Sequence, residues 1–316
     1  MKTVNTPILF ITFARPEYAK KTFEAIKKVK PRKLYFYNNI ARPDNSDEIN
    51  RNRQVRALLK EIDWECEVET FFREDHADIY TSLFSAIDWV FENEEQAIIL
   101  EEDCVATPYF FYYCEELLNK YKADSRVWMI SGNNFTEDGF INDTDYFFSR
   151  FSHIYGWASW KDRWKKIDRA MEDHRYVIDS GIYEQYFLTK KQARHVKKKF
   201  VNFKKNNLPA LPAWDFLFWY SAIKNNAFTI FPKKHLVGNI GVIGHHNKKG
   251  EPMIWNREPI PIEKNPFTLK HPMFIYPDNS YDRFHFNRYI KKYSSTNQLA
   301  LLAKKIAKAI IRKFYK

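Results

Sequence analysis

Apolar and polar positions alternate along the first hundred residues in blocks that predict strands and helices in turn. The runs PILFITF (7–13), KLYFYNN (33–39) and AIIL (97–100) are short and apolar, which is typical of buried strands. Between them, EYAKKTFEAIKKV (17–29) and IYTSLFSAIDWVFE (79–92) repeat apolar residues at helical spacing. Strands that alternate with helices predict an α/β fold with a doubly wound, mostly parallel sheet flanked by helices.

The pattern changes after VWMISG (127–132), which predicts one more strand of the same sheet. Aromatic-rich stretches follow at 154–164 and 211–220, and the basic helical stretch KKQARHVKKKFVNFKKN (190–206) lies between them. Since the chain shows no internal repeat and no long linker, we expect one compact unit.

Charge is unevenly distributed along the chain, whose net charge is +12. Residues 1–150 hold 19 Lys and Arg against 27 Asp and Glu, whereas residues 151–316 hold 32 against 12. The basic half indicates an anionic partner, such as phosphate groups, nucleic acid or a membrane surface. The acidic half argues against a protein that simply coats DNA.

The last twenty residues, NQLALLAKKIAKAIIRKFYK (297–316), predict a basic amphipathic helix. Such helices lie in a membrane interface, and the alternative is an ordinary terminal helix packed on the body. The sequence contains no run of about 18–20 apolar residues and no recognisable signal peptide. We therefore expect a cytoplasmic protein whose tail contacts the inner face of the cytoplasmic membrane.

Three consecutive acids, Glu101, Glu102 and Asp103, directly follow the buried strand at 97–100. Carboxylates at the end of a buried strand need solvent, basic neighbours or a divalent cation, because an unpaired buried charge is costly. Ligands of open α/β sheets bind beyond the carboxyl ends of the strands, where Arg15 is also expected. Mg²⁺ and Mn²⁺ often use one or two carboxylates together with substrate phosphates. The sequence thus predicts a cation and phosphate site here, with a solvated acidic loop as the alternative.

Five stretches resemble, in the same order, N-acetylglucosaminyltransferase I and its bacterial relatives. They are FARPEYAKKTFEAI (13–26), ILEEDCVATPYFFYYCEELL (99–118), VWMISGNNFTEDG (127–139), SRFSHIYGWASWKDRW (149–164) and PAWDFLFW (212–219). The resemblance covers roughly residues 5–250. It implies a GT-A-type, Rossmann-like fold with a mixed, mostly parallel sheet, and a glycosyltransferase that uses a nucleotide sugar.

The resemblance also implies roles for individual residues. Asp103 matches the acid that binds the metal, Mn²⁺ or Mg²⁺, and Glu101 and Glu102 match acids that hydrogen-bond the donor sugar and ribose. Arg15 matches a donor-binding arginine near the nucleotide. Asp215 matches the catalytic base, although an Asp before an apolar helix is also a good N-cap.

Four further residues are predicted to contact the donor. Asn39 stands where the relatives have an aspartate against the uracil. Tyr155 and Trp157 flank a glycine and are assigned to sugar contact, with plain core packing as the alternative for most of the nearby rings. His245 lies in a glycine-rich loop that is predicted to close over the diphosphate, although loop histidines are more often solvated.

We therefore predict a metal-dependent inverting glycosyltransferase. A UDP-sugar is the expected donor, and the acceptor is a hydroxyl of a glycan or lipid-linked glycan in bacterial surface polysaccharide or glycolipid synthesis. Residues 1–135 are predicted to form the nucleotide-sugar half, 136–280 the acceptor half of the same domain, and 281–316 the basic tail. The alternatives are a metal-dependent nucleotidyltransferase or phosphohydrolase, or a basic nucleic-acid-binding protein. We expect no nucleic-acid partner, because clustered acids without a metal would repel phosphates.

Overall fold

The computed structural model describes residues 3–136, 143–207, 214–242, 256–261 and 268–291. The strands are β1 (Ile8–Thr12), β2 (Lys33–Asn38), β3 (Glu67–Phe72), β4 (Gln96–Glu101), β5 (Cys104–Ala106), β6 (Val127–Ser131), β7 (Tyr146–Ser149), β8 (Trp157–Trp160), β9 (Phe228–Pro232) and β10 (Val237–Asn239). The α-helices are α1 (Pro16–Val29), α2 (Ser46–Arg56), α3 (Ile79–Asn93), α4 (Pro108–Tyr121), α5 (Lys161–Trp164), α6 (His174–Asp179), α7 (Ile182–Tyr186), α8 (Lys190–Asn207), α9 (Trp214–Lys224) and α10 (Asn279–His285). A 3-10 turn spans Ala57–Glu61, and a π-helical turn spans Phe286–Ile290.

Eight of these strands form a single mixed sheet in the order β3-β2-β1-β4-β8-β6-β9-β7. Strands β1, β2, β3 and β4 are parallel, as are β6 and β9. Strand β8 runs antiparallel between β4 and β6, and β7 is an antiparallel edge strand next to β9. The predicted α/β fold with a Rossmann-like, mostly parallel sheet flanked by helices is confirmed.

The sheet is covered on both faces because successive residues of each central strand point to opposite sides. In β1, Leu9 and Ile11 belong to the hydrophobic cluster that also contains residues of α3, α7, α8 and α9. Ile8 and Phe10 belong to a second cluster, which contains residues of α1 and α4. All five residues of β1 are buried, so the strand has no solvent-exposed face, as expected for a parallel sheet covered by helices on both sides.

A smaller antiparallel sheet lies just beyond the carboxyl end of β4. It pairs β5 with β10, so that Cys104 faces Asn239. Gly156 fits under β10 with a positive φ of 74°, and a Cβ at this position would lie 2.7 Å from the nearest side-chain carbon of Val237. The small sheet therefore places β10 and its following loop over the acids that end β4.

The chain is predicted to consist of two halves of one domain followed by a basic tail. Strand β8, from the predicted acceptor half, pairs with β4 of the nucleotide half, so the strands of both halves share one sheet. The boundaries at 135 and 280 stay predictions, and the amphipathic tail at 297–316 and most of 281–316 lie outside the described residues. None of the described helices combines the length and apolarity that crossing a membrane requires.

Candidate active site

The three acids lie at the turn between β4 and β5. Glu101 is the last residue of β4 and pairs in register with Ile11 of β1. Glu102 and Asp103 form the turn, and β5 begins at Cys104. Because β1 and β4 are parallel neighbours, the loop that leads from β1 into α1 meets this turn at the same edge of the sheet.

Arg15, from the loop between β1 and α1, provides the countercharge for two of the acids. Its Nε lies 2.6 Å from Oε1 of Glu102, and its Nη2 lies 2.9 Å from Oδ2 of Asp103. The other oxygen of Glu102 accepts a hydrogen bond of 2.8 Å from the backbone N–H of Phe13. Burial lowers the pKa of Arg15, but Asp103 and Glu102 outweigh it and raise the pKa above its usual value. A basic neighbour, Arg15, therefore compensates part of the negative charge at the end of β4.

The loop after β10 encloses Asp103 from the other side. The Nδ2 of Asn239 donates to Oδ1 of Asp103 at 3.3 Å, and the backbone N–H of Ile240 donates to the carbonyl oxygen of Asp103 at 2.8 Å. A Cβ on Gly241 would lie 2.2 Å from Oδ2 of Asp103. Only glycine allows the loop to approach this carboxylate so closely. Asn239 and Gly241 were not identified from the sequence, because their roles depend on the pairing of β10 with β5.

Glu101 differs from the other two acids because it lacks a close basic partner among the ion pairs of the described residues. It is half-buried, and its pKa is raised to about 8, mainly by burial and then by Asp103, Glu102 and Asp215, while Arg15 opposes the shift. Glu101 is therefore largely protonated at neutral pH. A protonated carboxyl can donate a hydrogen bond to a ligand oxygen.

Asp215 lies near Glu101 although 114 positions separate them in the sequence. The described part of α9 begins at Trp214, so Asp215 lies in the first helical turn, where the helix dipole favours a negative charge. Asp215 contributes to the raised pKa of both Glu101 and Tyr155. Tyr155, Glu101 and Asp215 therefore share one site with Asp103, which also raises the pKa of Tyr155.

Trp157 is buried beneath this site. Only 1% of its surface is exposed, and its ring centroid lies 5.4 Å from that of Trp214 and 5.8 Å from that of Phe218. Trp157 thus supports the first turn of α9, which carries Asp215, and offers a sugar little surface. Its predicted sugar contact stays a prediction, and the packing favours the core alternative.

Asn39 is also buried, and its amide is already paired. Its Nδ2 donates to the carbonyl oxygen of Ala77 at 2.9 Å, and its Oδ1 accepts from the N–H of Ala77 at 3.2 Å. This pairing fixes the loop before α3 to the end of β2. A base contact by the Asn39 side chain, which stays a prediction, would have to compete with both hydrogen bonds.

Lys199 of α8 is a site residue that the sequence did not single out. It is half-buried, its Nζ lies 5.7 Å from the ring centroid of Phe216, and it interacts electrostatically with Asp215. Burial lowers the pKa of Lys199, and Asp215 raises it to a lesser extent. Lys199 lies in a run of lysines in the sequence, and only the packing of α8 against α9 distinguishes it from its neighbours.

Comparisons with protein-family models and with curated protein sequences give no match. Several solved structures are similar in fold. A UDP-glucose pyrophosphorylase in complex with UDP-glucose aligns with a TM-score of 0.31 and 7% identity, over 52% of this chain and 79% of that one. A 4-diphosphocytidyl-2C-methyl-D-erythritol synthase from Anaerococcus prevotii aligns with a TM-score of 0.32 and 11% identity, over 62% and 99%. A glucose-1-phosphate thymidylyltransferase from Bacillus anthracis, in complex with sucrose, aligns with a TM-score of 0.30 and 9% identity, over 51% and 74%. At these identities the similarity concerns the fold alone.

The side chains of the site can be compared with the ligands that a divalent cation requires. Among the described residues, no three His, Cys, Asp or Glu side chains are grouped closely enough to hold a metal ion by themselves. Asp103 offers one carboxylate, whose Oδ2 keeps a lone pair beyond its bond to Arg15, whereas Oδ1 accepts from Nδ2 of Asn239 and from Sγ of Cys104 at 3.7 Å. This fits a Mg²⁺- or Mn²⁺-type site in which substrate phosphates supply further oxygens. His245 lies outside the described residues, and its predicted role stays a prediction.

Proposed function

We propose that this protein is a metal-dependent inverting glycosyltransferase, which moves a sugar from a nucleoside-diphosphate donor to a hydroxyl of a glycan acceptor. The observation that carries the proposal is the electrostatic interaction between Asp215 and Glu101. It means that a carboxylate from the aromatic second half of the chain lies beside the acids at the end of β4. This supports the proposal, because direct transfer to a hydroxyl requires the acids that would bind the donor and the carboxylate that would act as base to belong to one site.

The residues suggest how the reaction would proceed. Asp103 would hold Mg²⁺ or Mn²⁺, which would neutralise the diphosphate as it leaves. Arg15 would bind the donor near the diphosphate, since its guanidinium already lies against Asp103. The carboxyl of Glu101, at the end of β4, would hydrogen-bond a donor hydroxyl. Asp215 would accept the proton of the acceptor hydroxyl as that oxygen attacks the anomeric carbon from the side opposite the diphosphate, which inverts the configuration.

Nucleotidyl transfer is the second candidate. The same carboxylates and cation would serve it, and one of the structures of similar fold is named as a thymidylyltransferase. The two functions differ in what they require of Asp215, because nucleotidyl transfer to a sugar phosphate does not need a base for an acceptor hydroxyl. The similarity in fold does not distinguish glycosyl transfer from nucleotidyl transfer, so an experiment is needed.

The test combines donor binding with transfer. Calorimetric titration with a panel of nucleotide sugars, in Mn²⁺ and then in EDTA, is expected to show metal-dependent binding of one donor. Asp103→Ala should lose that binding, whereas Asp215→Asn should keep it and lose transfer by about 100-fold or more. Asp179→Asn, which changes an exposed carboxylate paired with Arg175, is the matched control and should leave both unchanged.

The outcomes separate the two candidates. Transfer at the wild-type rate by Asp215→Asn would contradict the proposed mechanism. Release of pyrophosphate from a nucleoside triphosphate and a sugar 1-phosphate, unaffected by Asp215→Asn, would establish nucleotidyl transfer instead.

A further inference from the structure

Lys199 is held against the first turn of α9 by the aromatic packing between two helices. Phe200 and Phe203 of α8 are buried, and their ring centroids lie 5.7 and 5.2 Å from that of Phe216. Phe216 directly follows Asp215 in the chain. The ammonium of Lys199 lies over the same ring, 5.7 Å from its centroid. The packing of α8 on α9 therefore fixes Lys199 next to Asp215.

Two acidic groups of the site also interact with Asp215. Glu101, at the end of β4, and Tyr155, in the loop before β8, both interact with Asp215, and each has its pKa raised, first by burial and then partly by Asp215. Lys199 of α8 has the opposite charge and interacts electrostatically with Asp215. Since the interaction is mutual, the Lys199 ammonium favours the ionised form of Asp215 just as Asp215 favours the charged form of Lys199.

The charged side chains on other helices that contact α9 have partners of their own. The ring of Trp164 in α5 lies 6.2 Å from that of Trp214, and α5 carries Lys161, paired with Glu95, and Arg163, paired with Asp162. The ring of His174 in α6 lies 5.6 Å from that of Tyr220, and α6 carries Arg175, paired with Asp179. Helix α3 carries Asp88, which is paired with Arg169, and helix α7 carries Glu184, which is paired with Lys197. Glu92 of α3 is exposed. The charged side chains of α3 and α7 are thus acidic, and neither helix offers Asp215 a cation of its own.

We propose that Lys199 is a positioning residue for the reaction, whose ammonium holds Asp215 ionised and in place beside the acids of β4. The role of Lys199 in catalysis rests on the proposed function. The pairing itself is a property of the folded protein and holds whatever the reaction is. The two statements can therefore be tested separately.

The first test is the pH dependence of kcat/KM for glycosyl transfer. Without Lys199, Asp215 gains its proton more easily, so in Lys199→Met the acidic limb of the profile should move up by about one pH unit. Lys199→Arg should restore the wild-type profile, because a cation is again present. Lys198→Met, which removes the exposed neighbouring lysine of α8, should leave the profile unchanged. A uniform loss of rate in Lys199→Met at every pH, with the acidic limb unmoved, would overturn the proposal.

The second test needs no catalytic activity. The Asp215 carboxyl carbon is followed by NMR in protein labelled with ¹³C at the aspartate side chains, and its signal is assigned as the one lost in Asp215→Asn. Its titration midpoint should be about one pH unit higher in Lys199→Met than in wild type. Equal midpoints would overturn the pairing. A shifted midpoint in a protein that transfers no sugar would support the pairing while contradicting the proposed function.

Discussion

His285 makes the pH dependence of stability a sharp test of the structure. Its side chain at the end of α10 is fully buried, and neither ring nitrogen has a hydrogen-bond partner among the described residues. Its ring stacks on Tyr281 at 5.5 Å and lies 4.7 Å from the ring of His153. Burial, and secondarily His153, lowers the pKa of His285 well below its usual value. The folded protein therefore keeps this imidazole neutral while the unfolded chain protonates it.

When the pKa of His285 in the folded protein lies below the pH of the experiment, its contribution to the free energy of unfolding depends only on its protonation in the unfolded chain. An unfolded histidine titrates near pH 6.5, so its protonation at pH 5.0 stabilises the unfolded state by about 2 kcal/mol. The contribution of His285 to stability is thus fully present above pH ~6.5 and is lost as the pH falls toward the folded pKa. The nearby carboxyl of Asp282, whose pKa burial raises to about 6, shifts stability in the opposite direction. Its effect cancels when two variants are compared at the same pH values.

The assay is urea unfolding at pH 7.5 and 5.0. His285→Phe removes the titrating group and both unpartnered nitrogens while keeping a flat ring on Tyr281. Its free energy of unfolding should therefore fall less between the two pH values than that of the wild type, by about 2 kcal/mol. His76→Asn, a change at an exposed histidine, is the control and should fall as the wild type does. Equal losses in His285→Phe and wild type would refute the neutral, buried state of His285.

Two predictions concern the site itself. Arg15→Met should lower the free energy of unfolding by on the order of 3 kcal/mol, because it leaves the buried Glu102 without its countercharge. The change should also abolish donor binding, and unchanged stability in urea unfolding would contradict the ion pair. Gly241→Ala should weaken donor binding at least tenfold in calorimetry, because its Cβ would lie 2.2 Å from Oδ2 of Asp103 and the loop must move away. Wild-type affinity in that variant would show that the loop does not enclose the donor site.

The first half of the fold could be predicted because its local signals are strong. The strands β1, β2 and β4 each contain four consecutive apolar residues, and α1 and α3 repeat apolar residues at helical spacing between them. Strand β8 gave no such signal. All four of its residues are buried, so it shows no alternation, and it lies inside a tryptophan-rich stretch. Its place between β4 and β6 is a long-range pairing that no local pattern encodes.

The site could be predicted only as far as it follows from strand ends. Arg15 and the acids of β4 follow neighbouring parallel strands, so their meeting at one edge follows from the sheet order. Lys199 and Gly241 depend instead on how α8 packs on α9 and how β10 pairs with β5. Trp157 shows the converse problem, because a tryptophan beside a glycine suits a binding site and a core equally well. Its burial is decided by neighbours that are distant in sequence.

The charges of the acid triplet indicate why a cation should be needed at all. Glu102 and Asp103 carry two negative charges, of which Arg15 neutralises one, and the raised pKa of Glu101, about 8, leaves that carboxyl largely uncharged at neutral pH. One net negative charge remains where a diphosphate is proposed to bind, and at close range it repels the phosphates. A divalent cation reverses the sign, so donor binding should require it. Donor affinity in EDTA equal to that in Mn²⁺ would mean that Arg15 alone provides the positive charge.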